Sequence, residues 1–98
     1  MRAIKITSRV ELKDVRNRLH DLQQEVLGGI ECVPLRDGWI MLVNEEGAIN
    51  GMPQNPIASL VAGTMIYGPV LIVGKGGEDF TDVPDAFDEL LQLDTPIG

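Results

Sequence analysis

The chain has 98 residues, a length that fits one domain and buries about 60–70% of its unfolded surface without covalent staples. Its 44% hydrophobic content, with six prolines, eleven glycines and no low-complexity tract, excludes a disordered chain. The net charge is −7, with seven Lys/Arg against six Asp/Glu in residues 1–38 and Lys75 alone against nine acids in residues 39–98; without a basic stripe to displace counterions, neither direct nucleic-acid binding nor attraction to an anionic membrane is expected.

Arg2 to Ile6 alternates charged and apolar side chains, as a strand with neighbours on both faces would. Ser8 and Glu11 have the spacing of a capping box, and Leu12, Val15, Leu19, Leu22 and Val26 recur at steps of three and four, so a helix is expected from Ser8 until Gly28-Gly29 ends it. Ile30–Leu35 and Trp39–Val43 are β-rich runs joined by Arg36-Asp37-Gly38, whose Asp-Gly pair favours a tight antiparallel hairpin. Glu45-Glu46-Gly47 marks a further turn, after which Ala48–Met52 is expected to return as a third, short strand. Asn55-Pro56 has the chemistry of a helix start, with two turns to follow up to Gly63. Val70–Val73 is a continuous apolar run, as in a strand buried on both faces and central in its sheet. Val83, Phe87, Leu90 and Leu91 share a helical face, with Asp82 and Asp85 at the helix start, and Asp94–Gly98 reads as a tail. The expected fold is a single α+β domain over residues 1–98: a small, mainly antiparallel sheet of about four or five strands, with helices packed on one face.

Few residues carry chemistry. A lone cysteine, Cys32, permits no intramolecular disulfide or cysteine zinc cluster, suits a reducing compartment, and reads as a buried, inert thiol. No apolar span approaches ~20 residues and no signal-peptide core is present, so a cytoplasmic location is expected. His20 lies off the apolar stripe of its helix without companions for a nucleophile pair or zinc site, and no catalytic residue, cofactor or metal site is assigned. Gly74-Lys75-Gly76-Gly77 follows a buried strand but lacks phosphate-loop spacing, and acids follow it. Trp39 reads as core or interface.

The segment richest in polar chemistry is 44–55. Asn44, Glu45, Glu46, Asn50, Gln54 and Asn55 are the candidate ligand- or partner-binding residues, although the same residue types are those that turns and caps require. The motifs Gly-Gly-Ile-Glu-x-Val-Pro-Leu (28–35), Asn-Glu-Glu-Gly (44–47), Asn-Gly-Met-Pro-x-Asn-Pro (50–56) and the Ile-x-Gly-Pro-Val-Leu-Ile-Val-Gly strand (66–74) resemble domain of unknown function family 3846. The resemblance runs from residue 3 to about Pro84, with Met52 in place of a leucine. It implies an origin in phages, plasmids and other mobile elements and brings no catalytic assignment. The expected function is therefore a small binding or inhibitory protein of phage type, with counter-defence one such role, acting through its acidic surface and the 44–55 loop on a host protein, a basic or nucleic-acid-binding one being electrostatically easiest. A small-ligand or nucleotide-sequestering protein, with a pocket completed by homo-oligomerisation, is the alternative. A metal-dependent enzyme is the least favoured.

Overall fold

The computed structural model describes residues 1–36 and 38–83. In chain order the elements are β1 (Arg2–Ile6), β2 (Val10–Asp14), α1 (Leu19–Val26), β3 (Ile30–Pro34), β4 (Trp39–Asn44), α2 (Pro56–Ala62), β5 (Val70–Gly76) and β6 (Asp79–Thr81). The six strands form one antiparallel sheet in the order β2-β1-β5-β4-β3. β6 pairs the far end of β5, from Gly74 to Gly76, beyond the stretch from Val70 to Ile72 that β1 occupies. The described residues are mostly sheet, with two short helices among them.

The apolar run Val70–Val73 takes the central place because its side chains have no polar face to offer water. Val70 and Ile72 join one core cluster, Leu71 and Val73 the other, and all four are fully buried. β4 divides in the same way: Trp39, Met41 and Val43 point to one side, Ile40 and Leu42 to the other. Ala58 of α2, with Ile57, Val61 and Ala62 beside it, covers the first face; Leu22 and Val26 of α1 cover the second. The helices thus lie on opposite faces of the sheet, correcting the expectation that they share one. Two apolar faces on β4 and β5 require two covers, and one helix serves each.

The largest correction concerns residues 8–18. The expected capping box at Ser8 is not formed, and Val10–Asp14 is a strand paired to β1, with Ile4 opposite Leu12 and Ile6 opposite Val10. The helix begins only at Leu19, so the stripe dissolves: Leu12 sits on a strand, Val15 is buried but precedes the helix, and Leu19 is exposed, leaving Leu22 and Val26 as the buried residues of α1. Val-Glu-Leu-Lys fits a period of two as well as the helical period, and the strand register also sets Lys5 opposite Glu11 and Arg2 opposite Asp14. α1 stops one residue earlier than its glycines suggest, with Leu27 itself left-handed at φ 65°. The Asn55 cap, Pro56 at the helix start and left-handed Gly63 bound α2 as expected. The 30–35 and 39–43 hairpin is also formed as expected, as β3 and β4. Asp37 in its turn, and the helix expected beyond Val83, lie outside the described residues.

α1 is fastened to its face by charge. Glu25 reaches Lys5 on β1 and Lys13 on β2, both at 3.0 Å, with its own side chain only 16% exposed. Burial alone would push the Glu25 carboxyl up, but the hydrogen bonds and charges of Lys13 and Lys5 outweigh it and hold the group below the ordinary glutamate value.

Candidate functional site

Two buried asparagines build the ends of the 44–55 segment. Asn44 closes β4 at 7% exposure; its Nδ2 donates to the Val26 carbonyl at 3.0 Å and its Oδ1 accepts from the Glu46 N–H at 2.8 Å. Val26 is the last residue of α1, where carbonyls lack partners within the helix, so one side chain satisfies the helix end and fixes the following turn. Gly28 makes the approach possible, since a Cβ there would stand 2.8 Å from Asn44 Nδ2.

Asn55, 4% exposed, donates from Nδ2 to the carbonyls of Ile6 at 3.0 Å and Gly68 at 2.9 Å, and its Oδ1 accepts from the Ala58 N–H at 3.1 Å. It caps α2 while tying the end of β1 to the approach to β5. The amides of Asn44 and Asn55 are thus consumed by internal bonds. Their role is to brace the scaffold.

Between them the turn bonds are local, Gly47 N–H donating to Asn44 O, Asn50 to Glu46 O, Met52 to Gly47 O and Gly51 to Ala48 O, while the two ends are tied outward by Glu45 N–H to Gly29 O and by Gly68 N–H to Pro53 O. These local bonds make consecutive turns in place of the strand expected at Ala48–Met52. Gly47 is pressed against Tyr67, where a Cβ would stand 2.9 Å from the carbonyl oxygen, and Gly51 adopts φ 70°. Glu45, Glu46, Asn50 and Gln54 are exposed, and Ile49 projects at 82% exposure, a large apolar side chain among them.

The six candidate residues do not converge on one pocket. Asn44 and Glu45 border a groove of about 280 Å³ whose walls include Glu31, Val33, Val43 and Tyr67. Gln54 and Asn55 border another depression of about 370 Å³, beside Thr7, Ser8, Pro53 and Pro69. Glu46 and Asn50 line neither of these. Sequence reasoning missed Glu31, Val33 and the 64–67 segment as groove walls, because they meet Glu45 only through the β3–β4 pairing and the link from α2 to β5. No local motif signals that meeting.

Other expectations resolve simply. Cys32 is exposed on β3, not buried, because its strand lies at the sheet margin, where α1 does not cover it. His20 is exposed on α1. Trp39 is in the core. Gly74-Lys75-Gly76 continues β5 and pairs with β6, so the glycine-rich run is a hairpin arm and not a phosphate-cradling loop. Among the described residues, no three His, Cys, Asp or Glu side chains gather closely enough to hold a metal ion, and no helix is long and apolar enough to cross a membrane.

No curated protein and no solved structure matches the chain. A family model described as "Domain of unknown function (DUF3846)" matches residues 1–93, and the chain belongs to that family.

Proposed function

We propose that this is a small binding protein that engages another protein through the exposed part of the 44–55 loop and the acidic surface around it. One observation carries the reading: the asparagines at the two ends are locked inside, while Glu45, Glu46 and Ile49 between them remain exposed on a turn held by internal hydrogen bonds. A pre-organised loop loses little freedom on binding, and an apolar side chain beside two carboxylates suits a partner surface that is basic around an apolar spot. Residues 39–98 carry the chain's acidic excess, which favours the same sign of partner. The mobile-element character of the resemblance makes a host protein the target of choice and inhibition the outcome.

The small-ligand alternative is weaker, because two of the amides it would use are already spent on the fold. A photo-crosslinking side chain in place of Ile49, exposed to host lysate at low salt, tests the proposal. A discrete adduct that disappears in the Glu45→Ala/Glu46→Ala variant and at high salt is expected. Equal crosslinking by the double variant would refute it.

A further inference from the structure

We infer that the outer edge of β3 accepts an extended, basic segment of a partner protein as an additional strand, with alternate side chains of that segment over the groove beside Glu31 and Glu45. This rests on the protein-binding reading above and gives the partner its chemistry.

β3 ends the sheet, and no strand among the described residues pairs its outer side. The bonds from Leu35 N–H to Trp39 O and from Glu45 N–H to Gly29 O show that odd-numbered residues of this arm bond toward β4. Ile30, Cys32 and Pro34 therefore turn their backbone groups outward. Pro34 occupies a place where its missing N–H deprives β4 of nothing, leaving the N–H groups of Ile30 and Cys32 and three carbonyls for an incoming chain. That chain would lie about 4.8 Å from β3.

The side-chain parity matches the groove. Val33 packs with the α2-face cluster, and Glu31, two residues away, shares its side of the sheet; both line the groove with Val43 and Ile66. An added strand would set every second side chain over that floor. The charged side chains on its lining are Glu31 and Glu45, so arginine or lysine in the incoming row meets opposite charge around an apolar base. A second copy of the chain fits less well. Two β3 strands paired about Cys32 would place Pro34 opposite Ile30, losing a hydrogen bond at each end, and would join two chains of net charge −7.

The test is selection from a random peptide library on the full chain, followed by binding measurements with the enriched peptides. Peptides with Lys or Arg and apolar residues at a period of two are expected. Their affinity should fall about tenfold or more in Glu31→Lys/Glu45→Lys and hold in His20→Ala. Methylating the backbone nitrogen of alternate peptide residues should abolish binding while methylating the intervening ones leaves it, a readout that does not alter the protein. Enrichment of acidic or unpatterned peptides, uniform tolerance of N-methylation, or a dimer that crosslinks through Cys32 would each overturn the inference. Such a result with the Glu45/Glu46-dependent Ile49 adduct still formed refutes strand addition alone; an Ile49 adduct that forms equally in the Glu45→Ala/Glu46→Ala variant refutes the loop-binding reading itself.

Discussion

Replacing Asn44 by alanine removes one side chain that closes two structures. The Val26 carbonyl loses its donor at the end of α1, and the Glu46 N–H loses the acceptor that shapes the acidic turn. Each neutral bond contributes about 0.5–1.5 kcal/mol net, and a buried group left without a partner costs about 1–3 kcal/mol. The Glu46 N–H is partly open to water and recovers some of its loss, so a destabilisation of about 2–3 kcal/mol is expected. For a domain of this length that lowers Tm by roughly 10–20 °C. Urea denaturation of wild type and variant gives the equilibrium difference, and amide exchange at Glu46 gives the local one. Asn44→Asp separates the two bonds. Its carboxylate still accepts from Glu46 but faces the Val26 carbonyl, and only the protonated acid can donate there. The folded-state pKa of that aspartate is raised, so the variant should regain stability as pH falls through it. An Asn44→Ala cost below about 1 kcal/mol, with unchanged exchange at Glu46, would refute the bracing role.

Asn55→Ser should cost less than Asn55→Ala, because serine can still cap α2 whereas neither replacement donates to Ile6 and Gly68; the difference, measured by chemical denaturation, should be near the ~1 kcal/mol of a helix cap. Glu25 has a depressed folded-state pKa, so its ion pairs add stability that is full above the ordinary glutamate value and is lost as pH falls through the folded value; Glu25→Gln should lower stability at neutral pH and flatten the acid side of a stability–pH curve, the gap to wild type closing as pH falls. Leu27→Gly should raise stability by about 0.5–1 kcal/mol, since leucine at φ 65° is sterically costly and this side chain, 66% exposed, gives up little burial. Thermal melts showing a lower Tm for this variant would contradict the strain assigned to Leu27.

Elements with one reading were legible in the sequence, and those with two were not. Val70–Val73 fits only a strand covered on both sides, and Asn55-Pro56 with Gly63 carries start and stop signals that tertiary packing did not overrule. Val10–Asp14 satisfied two periods at once; the choice fell to β1, whose free edge offered a complete ladder against a helical segment with an unbuilt cap. The same ambiguity hid the division of labour in the 44–55 loop, since Asn44 and Asn50 are one residue type in one polar stretch. What separates them is phase. Ile40, Leu42 and Asn44 follow one another on the α1 side of β4, so an asparagine two residues beyond a buried leucine inherits an inward direction and must find partners there. Asn50 follows no strand and inherits no direction, which leaves it to solvent. Extending strand parity one residue past the apolar run therefore distinguishes the amide that braces the loop from those the loop can present, and it places Glu45, one step out of phase with Asn44, on the groove side with Val43.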